Sequence, residues 1–290
     1  MLFIGGIRCL EGASLVTTTK EWTMTERIDD LEKYYSPIEI FDKLAETLFW
    51  ASAFLSVLIL YSSTIKCALL YESLDSCVSV AFIILVVLHS IFVHCNSFYL
   101  IPKAENMRRK QLLSDAFGIP LTPEQTKLYY NNEISPSAIK LGVNVLENAF
   151  FAKNVCGEMA KNKRVKILIY SIVWFVALSS RSTNLGLILT LTQALFSSEI
   201  IFRWIKIEVL RSKNELVYDS LYNLFLNRGN SEDKNILAGI LDSFASYESA
   251  KASASLKQSS KVFHKLNPIL SEEWKRILGQ LDFQNAKKKS

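Results

Sequence analysis

The sequence lacks the residue patterns on which most enzymes depend. It has no phosphate-binding G-x-x-x-x-G-K-[ST] loop, no G-x-G-x-x-G after a predicted strand, no H-E-x-x-H motif and no nucleophile elbow. Three histidines in 290 residues leave little for a histidine-based catalytic or metal site. The five cysteines are scattered without a C-x-x-C pair, so they indicate neither a zinc site nor a disulfide framework. We therefore expect no enzymatic activity, no catalytic or metal-binding residues and no cofactor.

The first residues also lack the pattern of a secretory signal. The stretch MLFIGGIRCLEGASL has no basic region at its start, and Arg8 interrupts its few apolar residues. Met24, which heads MTERIDDLEKYYSP, is an alternative initiator, and the sequence does not decide between it and Met1.

What the chain does have is long stretches without charge. Half of its residues are hydrophobic, only 21% are charged, and its mean hydropathy is positive, all of which is unusual for a soluble protein. Residues 47–65 and 76–101 form uncharged runs of 19 and 26 residues. At 1.5 Å per helical residue, each run can cross the roughly 30 Å hydrocarbon layer of a bilayer. These runs predict two membrane spans.

A second pair of runs is shorter. Residues 167–180 and 182–198 contain 14 and 17 uncharged residues, separated by Arg181. Basic residues stand before the first run and after the second, as in a helical hairpin whose two ends lie on one side of the membrane, and Lys and Arg can snorkel to lengthen a short span. We predict four spans; the alternative is two spans with this hairpin buried in a cytosolic helical domain.

The distribution of basic residues predicts the topology. Residues 1–46 hold 5 Lys and Arg, residues 102–164 hold 10, and residues 203–290 hold 15, whereas the two connecting turns hold one each. The positive-inside rule therefore places the three basic segments and both termini in the cytoplasm. The fold class predicted is an all-α integral membrane protein with the following parts: a cytosolic N-terminal helical segment (1–46), a first transmembrane hairpin (47–101), a cytosolic helical linker (102–164), a second hairpin (165–202) and a cytosolic helical tail (203–290).

Five polar residues in or beside the spans are candidates for lining or gating a pore. Glu199 and Arg203 are one helical turn apart, so they can pair at the cytosolic interface, or they can line a polar pathway. His89 and His94 lie in the second span at a spacing that puts them on different faces, so they are poor joint metal ligands. Each, like Gln193, either lines a pathway or forms hydrogen bonds between packed helices.

The cytosolic segments are predicted to be helical. Ser135 and Pro136 predict the start of a helix, and an apolar stripe follows at spacings of four, three and four residues, which predicts packing against a neighbouring helix. A long helix is predicted after Ser231, ending at Asn267 and Pro268, with Ser271 capping a final short helix. The apolar stripe that follows Ser135 and Pro136 consists of Ile139, Val143, Leu146 and Phe150.

The order of these parts resembles the four-transmembrane effectors of bacterial antiphage defence that work with nucleotide-signalling partners such as the SMODS-type synthases. The resemblance consists of an acidic N-terminal helix, a span pair ending in HCNSFYLIPKAENMRRK, a helical linker, a second pair ending in SSEIIFRWIKI, and a helical tail with PILSEEWKRIL. It is a similarity of layout over nearly the whole chain. Membrane effectors encoded beside retron reverse transcriptases are the alternative relatives.

The resemblance implies a pore-forming effector of the bacterial inner membrane that arrests or kills the infected cell when a partner signals. It implies a homo-oligomer in the lipid bilayer and a co-encoded sensor, either a nucleotide-synthesising enzyme or a retron reverse transcriptase with its nucleic acid. A nucleotide ligand is compatible with the basic cytosolic segments. The alternative hypothesis is a non-toxic membrane scaffold that recruits a cytosolic partner.

Overall fold

The computed structural model describes residues 28–62, 71–127, 129–179, 198–228 and 233–281, and in these ranges the protein consists of helices, the loops that join them and one short strand pair. Strands β1 (Ile28–Asp29) and β2 (Thr126–Lys127) pair antiparallel. The helices are α1 (Glu32–Ser62), α2 (Tyr71–Cys95), α3 (Ile101–Phe117), α4 (Ala138–Ser179), α5 (Ser198–Leu226), α6 (Asp233–Ala254) and α7 (Ser260–Gln280). The prediction of an all-α chain is confirmed.

Helices α2 and α3 form one continuous rod, joined by a π-helical turn over Asn96–Leu100. Pro102 follows this turn directly. A proline has no N–H to donate to the preceding helical turn and crowds the carbonyl there, which a wider π turn relieves. The rod ends at Gly118, whose φ of 68° is a left-handed conformation that glycine adopts without a steric penalty.

One helical stretch in the described ranges, Cys77–Phe117, is long and apolar enough to cross a membrane. None of its most apolar window is buried, whereas a core helix of a soluble protein would be mostly buried. Helix α1 packs against it, with the rings of Phe41 and Phe92 at 5.0 Å between centroids. Of the predicted second hairpin, residues 180–197 lie outside the described residues.

The predicted cytosolic linker and tail pack together into one helical bundle. Its core takes buried side chains from α3, α4, α5, α6 and α7, and Phe150 stacks on Trp274 with 6.0 Å between ring centroids. The predicted stripe on α4 faces this core, which confirms that it is a packing surface. The fully buried members of the core include Leu141, Leu146, Leu221, Phe225, Ile240 and Trp274.

Three helix boundaries differ from the prediction. Helix α4 begins after Ser137, whose Oγ accepts a hydrogen bond from the Lys140 N–H, so the N-cap is not Ser135. The predicted long helix breaks at Ser255, which has a φ of 42°, and α7 then starts with Ser259 as its N-cap.

Pro268 lies inside α7 and does not end it, so the predicted cap at Ser271 is wrong. The physical reason is tertiary packing beyond the proline. Leu270 and Trp274, which follow it on the same helix, are buried in the bundle core. Their burial outweighs the local cost of a proline within a helix.

Candidate functional site at the junction of the apolar helices and the bundle

Arg203 lies near the start of α5 and contacts α1. Its Nη2 donates a hydrogen bond to Asp42 Oδ2 at 3.1 Å, and both side chains are about one third exposed. The predicted partner, Glu199, belongs to α5, but its side chain lies outside the described residues. Arg203 therefore connects two helices that are distant in the sequence, a role that helical spacing alone could not reveal.

Asp42 also receives a hydrogen bond from the rod formed by α2 and α3. Asn96, the first residue of the π turn, is 3% exposed, and its Nδ2 donates to Asp42 Oδ1 and to the Ile38 carbonyl, each at 3.1 Å. A buried amide is costly unless it is hydrogen-bonded. Asp42, Asn96 and Arg203, the junction cluster, thus join α1, the π turn and α5.

The loop between α6 and α7 contacts the same π turn. Ser255 Oγ donates to the Ser97 carbonyl at 2.6 Å, and Ser97 Oγ donates to Ser255 Oγ at 3.2 Å. A left-handed serine is uncommon and carries a cost of about 1 kcal/mol or more. The contacts with Ser97 explain why Ser255 keeps this conformation.

Two residues that follow Ser255 bind α1. Lys257 Nζ contacts the Glu39 carboxylate and lies 3.5 Å from the Tyr35 carbonyl oxygen, and Ser260 Oγ donates to Glu39 at 3.0 Å. The hydrogen bonds from Lys257 and Ser260 keep the pKa of Glu39 below its ordinary value. We call these contacts, together with those between Ser255 and Ser97, the loop clasp.

An ionic cluster connects α3 and α6. Lys251 Nζ contacts Glu105 Oε2 and lies 3.6 Å from Glu248 Oε1, and the Lys251 side chain is only 13% exposed. Burial raises the pKa of Glu248, although Lys251 opposes the shift. Charges removed from water need such partners, so this cluster makes the bundle sensitive to loss of one member.

Aromatic rings enclose a second buried cation beside this cluster. Arg108 lies over the rings of Tyr35 and Tyr129, at 5.4 and 4.6 Å from their centroids, and its guanidinium bonds both carboxylate oxygens of Asp29 at 3.2 Å. The planar fork of arginine suits such two-point contacts. Arg108 thereby fixes the start of α1 against the bundle.

The two candidate histidines face different surroundings, as their spacing predicted. His89 Nδ1 is 2.9 Å from the Ala45 carbonyl oxygen on α1, which places this imidazole between packed helices. His94 is exposed, and its Nδ1 is 2.7 Å from the Ser90 carbonyl oxygen of its own helix. Among the residues that the structure describes, no group of three or more side chains could hold a metal ion. Gln193 lies outside them.

The structure thus brings Arg203 together with Asp42 and Asn96, which the sequence did not single out. Asp42 was counted only as one of the acidic residues of the N-terminal segment, and Asn96 only as part of an uncharged span. A polar residue at the end of an otherwise apolar run is the one signal that could have marked Asn96. Comparisons with protein-family models, with curated proteins and with solved structures each give no match.

Proposed function

We propose that this protein is an integral membrane effector of bacterial antiphage defence that perforates the inner membrane when a co-encoded sensor signals. The support for a membrane location is apolar surface that no other part of the described chain covers. Such a surface is unfavourable in water, at about 25 cal/mol per Å². It includes Trp50 and Phe54 on α1, Ile83, Val87 and Ile91 on α2, Leu168, Ile172 and Phe175 on α4, and Phe202 on α5, which are between 49% and 66% exposed.

In this proposal four helices cross the bilayer as two hairpins. The first hairpin is α1 with α2. The second begins in α4, which continues without a break from the bundle into its exposed apolar half, and returns through residues 182–198 into α5. Exposed faces of four spans can contact lipid or further copies of the chain, and we propose that a homo-oligomer encloses the pore.

The observation that carries a regulated function is the connection between the apolar helices and the bundle. The rod α2–α3, helix α4 and helix α5 each extend into the bundle core, and the junction cluster and loop clasp add polar contacts at the transition. A partner or a nucleotide that binds one arrangement of the bundle more tightly would shift the helices as well. The defence setting itself rests on the similarity of layout.

The proposal is tested by membrane potential, read with a voltage-sensitive dye in bacteria that express the full chain, first alone and then with its neighbouring genes during phage challenge, where the sensor can signal. We expect depolarisation, and we expect Arg203→Glu to alter it because Asp42 would then face a like charge. The charge-swapped pair Asp42→Arg with Arg203→Asp should restore the wild-type response in part, because it restores the ion pair but leaves Asn96 Nδ2 without its acceptor at residue 42. A matched double variant, Lys213→Glu with Glu215→Lys, changes charges on the same helix α5 away from the cluster.

A full-chain variant that cannot insert provides the control. Ile84→Asp with Val87→Asp places two charges on the exposed apolar face of α2, and each charge at the bilayer centre costs about 2.5–3.5 kcal/mol on insertion scales. Ile84→Leu with Val87→Leu is the matched conservative variant. Undiminished toxicity of the aspartate variant, found in the soluble fraction, would rule out perforation.

The scaffold alternative is favoured by one observation on the bundle. Leu216, Leu237 and Leu241 are 58%, 44% and 48% exposed, although they lie on helices α5 and α6 that form the bundle core. Such residues can bind a cytosolic partner. Harmless expression with an unchanged membrane potential, both alone and beside the neighbouring genes, would favour the scaffold.

A further inference from the structure

Four helices that carry exposed apolar residues also carry an exposed lysine near their entry into the bundle. The lysines lie on α1, on α3 at the end of the rod that begins with α2, on α4 and on α5. Exposed apolar residues adjoin each lysine. Leu44 adjoins Lys43 on α1, and the ring of Tyr99 lies 5.8 Å from the Lys103 ammonium group. The four residues are Lys43, Lys103, Lys166 and Lys206.

Contacts between the helices place three of the four lysines, Lys43, Lys166 and Lys206, near one level. Lys43 follows Asp42, which contacts Arg203 on α5, and Lys206 is one helical turn beyond Arg203. Arg164 of α4 contacts Glu208 of α5, and at 1.5 Å per residue Lys166 and Lys206 each lie about 3 Å along the axis from that pair.

Lys103 lies on the bundle side of this level. It is seven residues, or about 10 Å of helix, beyond Asn96, which contacts α1 at Ile38 and Asp42. A long lysine side chain beside the exposed Tyr99 can reach back towards the apolar surface. The four ammonium groups can therefore meet one plane of headgroups.

These lysines differ in their partners from three lysines of the bundle. In the described part of the chain, none of the four forms an ion pair, whereas Lys140, Lys251 and Lys265 of the bundle contact Asp115, Glu105 and Glu158. Nearby carboxylates already bind other side chains. Asp42 binds Asn96 and Arg203. Glu39 binds Lys257 and Ser260, and Glu208 binds Arg164. Glu46, which is exposed on α1, is an acidic side chain that lowers the positive charge near these lysines.

We propose that Lys43, Lys103, Lys166 and Lys206 form a collar that binds the phosphates of anionic phospholipids. Cations that form no ion pair in the described chain, set beside surface that favours lipid, match a headgroup layer in both charge and position. The collar rests on the proposed membrane location, but it does not require that the protein perforate the membrane. A basic side chain near an anionic surface contributes roughly a five-fold preference. Four that act independently would contribute about 600-fold, and we expect a loss of at least about tenfold when all four are replaced.

The test uses the full chain in nanodiscs of phosphatidylcholine with and without phosphatidylglycerol, with the lipids retained after extraction counted by native mass spectrometry. The wild type should retain phosphatidylglycerol in preference to phosphatidylcholine, and Lys→Gln at all four collar positions should lose that preference. The matched control replaces four exposed bundle lysines, Lys110, Lys213, Lys234 and Lys275, and should behave as the wild type.

Equal retention of phosphatidylglycerol by the collar variant and the wild type would overturn the proposal. So would loss of lipid retention in the presence of dilute pyrophosphate, because the site would then prefer a soluble phosphate. Thermal unfolding in neutral detergent checks that each variant folds, and Lys→Arg at the four positions, which keeps the charge, should retain the preference. Lipid selectivity without depolarisation in cells would leave the collar intact and contradict only the pore.

Discussion

The two halves of helix α4 contain similar apolar residues in opposite surroundings. Leu146 is fully buried among side chains of the bundle, whereas Leu168, further along the same helix, is 61% exposed. In the bundle, protein side chains cover the apolar surface; in the other half, nothing in the described chain does. Both halves are therefore hydrophobic in composition, and only the presence or absence of packing partners distinguishes a protein core from a surface suited to lipid.

The polar groups follow the same division. The bundle buries ionic groups in pairs, as Lys251 with Glu105 shows, while the exposed apolar half of α4 beyond Lys166 carries no charge in the described residues. Between the two lie the partly exposed contacts of the junction cluster and the clasp. We therefore expect substitutions of polar groups to have their largest effect on stability in the bundle and a smaller one at the junction.

The largest expected effect comes from Lys251→Met. It leaves Glu105 and Glu248 as buried charges without their cation, which typically costs about 3–5 kcal/mol. Thermal unfolding in detergent, followed by circular dichroism, measures the loss. Lys275→Met, at an exposed position of α7, should leave the melting temperature nearly unchanged; equal melting temperatures for both variants would show that the buried pair contributes nothing.

Leu146→Ala and Leu168→Ala make the same change on one helix. The first opens a cavity in the bundle core and should cost about 2–5 kcal/mol, while the second should leave unfolding of the bundle almost unaffected. In contrast, only Leu168→Ala should weaken partitioning of the protein into liposomes, since it removes apolar area that faces outward. A large loss of thermal stability from Leu168→Ala would mean that this half is also packed within a protein core.

Glu147 should give the bundle a pH-dependent stability. Burial raises the pKa of Glu147 to about 7, although hydrogen bonds from the Asn131 main chain and side chain oppose the shift. The folded state therefore keeps the proton more tightly than the unfolded state, and the contribution of this group to stability falls as pH rises from about 4.5 to 7. The loss amounts to about 3 kcal/mol over that window.

The measurement is the melting temperature from pH 4.5 to 8 for the wild type and for Glu147→Gln, which cannot titrate. Carboxyls whose pKa values are lowered, such as Glu39 and Glu158, are present in both proteins, so the difference between the two profiles isolates Glu147. It should change across this window and level off above pH 7. Parallel profiles would contradict the assignment.

Among the polar substitutions, the smaller effect is expected at the junction. Asp42→Asn removes the charge that Arg203 contacts, and because both side chains are about one third exposed, we expect a loss of only about 0.5–1 kcal/mol. A double-mutant cycle with Arg203→Gln, measured by thermal unfolding, gives the coupling between them. Coupling indistinguishable from zero would show that this contact does not join α1 to α5 in solution.

Patterns within one helix were predictable, and contacts between distant helices were not. The spacing of Ile139, Val143, Leu146 and Phe150 predicted a packed face, because neighbours along a helix recur with its period. Asp42 and Arg203 are separated by 161 residues, and no local pattern indicates such a partner. The continuation of α7 through Pro268 was also missed, since Pro268 is a local signal that burial of Trp274 overrides.

The hydropathy of the sequence likewise did not predict that the helices continue from the apolar segments into the bundle. A change from apolar to charged residues near Ile101 predicts where a membrane segment ends, but it does not break the helix: α2, the π turn and α3 run on to Gly118. Composition marks the boundary between environments, while helix ends depend on caps and packing. This is why the junction, where the boundary falls within continuous helices, emerged only with the structure.

The proposed perforation is tested by measuring the membrane potential of single cells with a voltage-sensitive dye during phage challenge. The cells express the chain together with its neighbouring genes. A pore-forming effector predicts depolarisation before lysis, lost when α2 carries Ile84→Asp and Val87→Asp and kept when it carries Ile84→Leu and Val87→Leu. A potential that stays unchanged until lysis, with the wild-type chain present in the membrane, would contradict perforation.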